Sequence, residues 1–351
     1  MLLSAVAFVL VFGLIVLVHE AGHFVAARRA GIKVLEFGFG YPPRIKTLCV
    51  RNGVEYTLNA LPLGGFVRML GEEGAPEPGS FSSKSARARV ATLLAGPTMN
   101  LVLAAVLFAA LLVAVGQGVP TGQVLVSAVA TDSPAAQSGV LAGDRILALD
   151  GQAVGSVVEV QKLTQAALGR EVSLSLRRGE QTVTARLTPR INPPQGQGAM
   201  GVTIGDDYRI VRYSVWRAIP LGVAQVGQTI VMIVTGLIAV VRGLVSPKEL
   251  AGPIGIFQVT GEVARLGLPL LVNFTAGLSV NIAIVNLLPI PILDGGRVAL
   301  VLLEKLRGGK RMAPQQEGAV QFASLMLLLA LVVLFSYFDI LRLFSGQSIL
   351  R

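Results

Sequence analysis

Four stretches of this chain are apolar for long enough to span about 30 Å of hydrocarbon as helices: roughly 1–25, 91–115, 272–303 and 318–338. A fifth, 218–241, is similar in length but carries Gln225, Gln228 and Thr229 among its apolar residues. That pattern suits a one-sided helix on the membrane surface or one that re-enters it. Between the spans the pattern changes. Arg44–Arg51 and Val54–Asn59 flank Asn52-Gly53, a two-residue hairpin signal, and Gly64–Leu70 reads as a further strand. Residues 122–190 alternate short strands around a helical stretch, Ser156–Leu168, with turns at Asp150-Gly151 and Arg178-Gly179. A Pro/Gly-rich connector, Asn192–Gly201, follows.

Composition supports the membrane reading. The 351 residues are 53% hydrophobic and 14% charged, against about a quarter charged in a soluble domain. The net charge of +10 does not point to nucleic acid, because the basic residues sit beside apolar segments and form no stripe with aromatics. The apolar start lacks a basic region before it and a small-residue cleavage pattern after it, so it reads as a retained helix and not a signal peptide. One cysteine, Cys49, allows no internal disulfide.

Basic residues in 27–90, and the run Lys305, Arg307, Lys310 and Arg311, place both loops in the cytoplasm by the positive-inside tendency. An odd number of crossings must then lie between residues 116 and 304, which argues against 218–241 spanning. The expected order is transmembrane helix 1 (1–26), a cytoplasmic-side β-loop sheet (27–90), helix 2 (91–116) and an extracytoplasmic αβ domain (122–190). A connector with a membrane-surface helix (191–270), helix 3 (271–304) and helix 4 (318–340) complete it. The fold class is a polytopic α-helical membrane protein.

The chain's two histidines are His19 and His23, and Glu20 follows the first. This arrangement arises by accident roughly 2 times in 10,000. At i and i+4 both imidazoles leave one face of a helix, as two ligands of a tetrahedral Zn²⁺ require. Each ionisable group near the bilayer centre costs about 2.5–3.5 kcal/mol, and a bound zinc offsets such a cost. A third ligand must come from elsewhere. Cys49 lies in the loop sheet, and the acids in or beside apolar spans are Glu20, Asp294, Glu304 and Asp339. Asp294 matches His19 in depth and follows Pro289 and Pro291, which break the helical backbone. It also reads as a capping residue at a helix restart before Gly295-Gly296. With two imidazoles and one carboxylate, the fourth zinc position stays open to water, and Glu20 is placed to act as general base.

His19-Glu20-Ala21-Gly22-His23 in the first span and Asn286–Gly295 in a late one resemble the site-2 protease family of intramembrane zinc metalloproteases. Gly96-Pro97-Thr98-Met99-Asn100, Gly252-Pro253-Ile254-Gly255 and Gly64-Gly65-Phe66 extend the resemblance over nearly the whole chain. It is nearest to the bacterial regulator-of-sigma-E protease type, here with one PDZ domain at 122–190. The resemblance implies one zinc per chain on His19, His23 and Asp294, a catalytic Glu20, and Asn281 and Asn286 holding the substrate backbone. The loop around Gly65 and Phe66 would re-enter the membrane and pair with substrate. It further implies the bacterial inner membrane, a site toward the cytoplasm, and single-pass substrates such as an anti-sigma factor or a remnant signal peptide. Two rivals are a membrane metal transporter, which would need a path of polar clusters and inverted repeats, and a PDZ-displaying scaffold, which would leave the histidines without a role.

Overall fold

The computed structural model describes residues 1–72, 77–309, 312 and 314–345, so Lys310 and Arg311 of the basic run, and 73–76 of the linker before the second helix, lie outside the described residues. The chain forms two compact units, Met1–Val115 with Tyr213–Arg351, and Gly116–Arg212.

In the first unit, helix α1 (Leu2–Arg29) is an apolar run without a proline, and it stops where Gly31 turns to φ +67°. There the Ile32 N–H reaches back to the Ala27 carbonyl at 2.9 Å, closing the last turn as a glycine C-cap does. Strands β1 (Val34–Arg51) and β2 (Val54–Met69) follow, joined at Asn52 and Gly53, both at positive φ (52° and 77°) as the expected hairpin turn requires. The pairing is double. Residues 36–39 of β1 lie opposite 55–58 of β2 and also opposite 65–68, while 44–51 pair with 54–59. Glu36 is buried at this fold-back, and its carboxylate accepts from Arg44 at 2.6 Å and Thr57 at 2.8 Å and pairs with Arg68 at 3.1 Å. The carboxylate thereby ties β1 to both arms of β2.

Helix α2 (Ala86–Ala114) is capped by the Ser85 hydroxyl, which accepts from the Ala88 N–H at 3.3 Å, and carries Pro97 at its middle.

The second unit begins with β3 (Gln117–Val129) and continues through α3 (Pro134–Gln137), β4 (Arg145–Leu149), β5 (Gln152–Ala153), α4 (Val157–Ala166), β6 (Val172–Arg178), β7 (Gln181–Leu187) and β8 (Val202–Val211). The antiparallel sheet runs β7-β6-β4-β3-β8, with β5 on β4. Val124, Val126, Ile146, Val160, Leu174 and Leu176 form its buried centre. This unit is longer at both ends than the expected 122–190. The Asn192–Gly201 segment does not lead away from it. Met200 packs into its core, the Gly201 carbonyl accepts from Ala130, and β8 then pairs with β3 from Val129↔Val202 to Gln117↔Val211.

The chain returns to the first unit with α5 (Val215–Val241), α6 (Pro253–Leu266), α7 (Leu268–Asn286), α8 (Asp294–Leu306) and α9 (Pro314–Phe344). The expected single helix over 271–304 is two helices. Pro289 and Pro291 lack amide donors, and residues 287–293 turn through short bonds such as Ile290 N–H to Leu288 C=O at 2.8 Å. Among the described residues five helices, α1, α2, α5, α7 and α9, are long and apolar enough to cross a membrane, one more than the four spans expected. Large apolar side chains on them face outward, including Leu10, Val106, Val231 and Val333, as a lipid-exposed surface demands.

Candidate metal centre

Three helices build the centre. His19 and His23 sit one turn apart on the buried face of α1, and Asp294 opens α8. The Nε2 atoms of the histidines stand 3.1 Å apart, and Asp294 Oδ2 lies 3.1 Å from one and 3.3 Å from the other. A tetrahedral Zn²⁺ with bonds of about 2.0–2.2 Å sets its donors roughly 3.3–3.6 Å apart, so this triangle is close to zinc dimensions. That Oδ2 is buried without a hydrogen-bond partner, which in a native structure marks a place for an ion or water.

Helix α2 shapes the remaining wall. A Cβ at Gly96 would stand 2.7 Å from His19 Nε2 and closer still to His23 Nε2, so only a glycine leaves both donors room. Next to it, Pro97 has no N–H for the Leu93 carbonyl. One residue back, the Thr92 carbonyl stands 2.9 Å from His23 Nδ1. A proton held there by that carbonyl leaves His23 Nε2 with a lone pair for a metal. His19 Nδ1 meets the Asn100 side chain at 3.2 Å.

Glu20 lies beside the triangle, and its Oε2 accepts the Val67 N–H of β2 at 3.1 Å. Gly65 and Phe66 immediately precede that contact. Phe66 packs over Gly38 and stacks on Tyr41 at 6.4 Å between ring centres. Asn281 is exposed on α7 and Asn286 is half-buried at its end. Neither stands among the three donors. Glu304 is bound instead to Arg89 through paired contacts of 2.8 and 3.0 Å, which fasten α8 to α2. Asp339 accepts from the N–H groups of Gly252 and Gly255. Cys49 is exposed on β1.

The Thr92 carbonyl, Gly96, Asn100 and the Val67 N–H were not singled out by their chemistry. The one available signal was a buried-type asparagine and a Gly-Pro pair inside an apolar run.

The pattern of a histidine pair on one helix meeting a carboxylate from a proline-broken one defines a metallohydrolase class. Residues 7–331 match the model of peptidase family M50. A Clostridium acetobutylicum protein bearing a zinc-metalloprotease name is 33% identical over 93% of this chain and 95% of its own length. The zinc metalloprotease RasP of Oceanobacillus iheyensis is 29% identical over 97% and 99%. The regulator of sigma-W protease RasP of Bacillus subtilis is 27% identical over 97% and 99%. Among solved structures, the PDZ domain of an SdrC-like protein from Listeria monocytogenes is 28% identical, covering 24% of this chain and 90% of that one at a TM-score of 0.22. The chain belongs to peptidase family M50 and is a zinc metalloprotease.

Proposed function

We propose that this chain hydrolyses peptide bonds in or beside transmembrane segments of single-pass membrane proteins, with one Zn²⁺ held by His19, His23 and Asp294 and with Glu20 as the proton-transfer group. The observation that carries the reading is the 3.1–3.3 Å triangle of donor atoms with a carboxylate next to it. Bound zinc supplies Lewis-acid stabilisation of developing oxygen charge and makes water acidic enough to attack near neutral pH.

The chain's own residues do the rest. Glu20 takes the proton from the attacking water as the new C–O bond forms and then returns it to the amine nitrogen, so that the peptide C–N bond breaks with a neutral amine leaving. The Val67 N–H holds one Glu20 oxygen and leaves the other without a bond to that amide, free to take the proton. Residues 65–69 form an outer segment of the hairpin, with Gly65 and Phe66 placed to pair with an extended substrate. Asn281 and Asn286 steady the substrate backbone. The name of the Bacillus subtilis relative, a regulator of sigma-W protease, supports an anti-sigma factor as one substrate. A remnant signal peptide has the same single-pass chemistry.

The membrane is the bacterial inner membrane, crossed four times, with the loop sheet toward the cytoplasm and the 116–212 unit, read as a PDZ domain, outside. The ends of α5 support this count. Tyr213 donates to Leu112 at the end of α2. After α5, Gly252 meets Asp339 near the end of α9, and Gly261 presses on Ser4 at the start of α1. Helix α5 therefore starts at the face where the chain lies again by Gly252, and its Gly222 packs on Ala105 and Ala109 of α2, as a re-entrant helix would.

Glu20→Gln tests the reading. Purified beside the parent and given a single-pass membrane substrate, it should retain zinc and lose cleavage by at least about 100-fold. Undiminished cleavage would remove Glu20 from the mechanism.

A further inference from the structure

Asn100 is fully buried at the middle of α2, in an otherwise apolar stretch. Its main-chain carbonyl accepts from the Ser279 hydroxyl of α7 at 2.8 Å, and Ser279 is also fully buried. This turn of α2 is thus fixed from outside. The side chain faces α1, with Nδ2 at 3.2 Å from His19 Nδ1, while its Oδ1 has no hydrogen-bond partner.

A neutral imidazole carries one proton, and a histidine that binds a metal through Nε2 must carry it on Nδ1. His23 has an acceptor for that proton in the Thr92 carbonyl. For His19 the group at that position is the Asn100 amide. Its nitrogen cannot accept a proton, but its oxygen can. Rotating the amide by half a turn exchanges the two.

We infer that Asn100 is the positioning residue of the metal site, turning Oδ1 to the His19 Nδ1–H when Zn²⁺ is on Nε2 and Nδ2 to Nδ1 when the proton sits on Nε2. The inference rests on His19 being a zinc ligand. It gives the two histidines different supports. His23 leans on a backbone carbonyl that holds one tautomer, and His19 leans on an amide that serves both. The same rotation would link the His19 tautomer to metal occupancy.

The test uses the whole chain, purified in detergent without a histidine tag, as parent, Asn100→Leu and Asn100→Asp. Zinc affinity is measured by competition with a chelating dye. Leucine keeps the volume and removes the acceptor, so its affinity should fall about 10–100-fold, as loss of an outer-sphere partner does. Aspartate can only accept, and should bind zinc at least as tightly as the parent. A purely structural role would weaken both variants alike.

Histidine labelled with ¹⁵N adds a readout that needs no variant, since the chain has two histidines. In the zinc-loaded parent both rings should be protonated on Nδ1. Parent-like zinc affinity in Asn100→Leu, or an Asn100→Asp protein that binds more weakly than the parent, overturns the inference and leaves the metal site standing. A parent that binds no zinc overturns the metal site, and this inference with it.

Discussion

Gly96→Ala separates the metal site from the fold that carries it. The added Cβ would lie 2.7 Å from both His19 Nε2 and His23 Cε1. Nonbonded carbon and nitrogen atoms settle near 3.5 Å, so the His19 ring must retreat by about 0.8 Å. Metal–donor distances tolerate only about 0.2 Å. Zinc affinity should therefore fall by at least about 100-fold, beyond the usual cost of losing an outer-sphere partner. Imidazoles are side-chain ends that can move, so the helices need not part. Alanine is also favoured over glycine in a helix interior by about 1 kcal/mol. The zinc-free protein should thus melt no lower than the zinc-free parent. Added zinc at 100 times its Kd raises stability by about 2.7 kcal/mol in the parent, and should raise it far less in the variant. The assay is a thermal melt of each protein with and without zinc, beside a chelator competition. Parent-like zinc affinity in Gly96→Ala would refute the placement of the donors around that glycine.

Two other consequences are open to measurement. Arg89→Met removes the fork that holds the Glu304 carboxylate, 16% exposed, and should lower the melting temperature of the whole protein; an unchanged melt would show that the pair does not hold α8. In the 116–212 unit, the Arg178 guanidinium lowers the pKa of the buried Asp144. A carboxylate with a depressed folded pKa contributes stability above its unfolded pKa, about 3.9, and loses it as pH falls toward the folded value. Melting of this unit should be steady down to about pH 4 and decline below it, and Arg178→Met should flatten that decline; an equally steep decline in the variant would refute the assignment.

The legible parts of the site were those whose side chains carry chemistry at a periodic spacing. His19 and His23 announce one helix face, and Asp294 stands out as an acid behind two prolines. What α2 contributes is hidden for a physical reason. A backbone carbonyl looks alike at every residue, and Gly96 matters for the atoms it lacks. The hairpin turn was legible because Asn-Gly accepts positive φ twice, whereas the fold-back of β1 onto both arms of β2 depends on the buried Glu36 and its partners from three other segments. Strand β8 was missed because Asn192–Gly201 has the composition of a linker, yet its Met200 is held by the core. The break at 287–293 was partly legible from its prolines, but 271–304 still read as one span by length. In α5, polar residues suggested a helix that lies on the membrane surface or re-enters it. The structure buries Thr229 with its hydroxyl bonded to the Gln225 carbonyl at 2.8 Å, which lowers the cost of placing it among apolar neighbours.

The central claim is that side chains from the first helix and from the helix after the proline break grip one ion together. Counting zinc on the purified chain tests it most directly, in the parent and in His23→Ala and Asp294→Ala, each with its fold verified. The account predicts one zinc in the parent and none retained through gel filtration by either variant. Zinc kept by Asp294→Ala at parent affinity would contradict it.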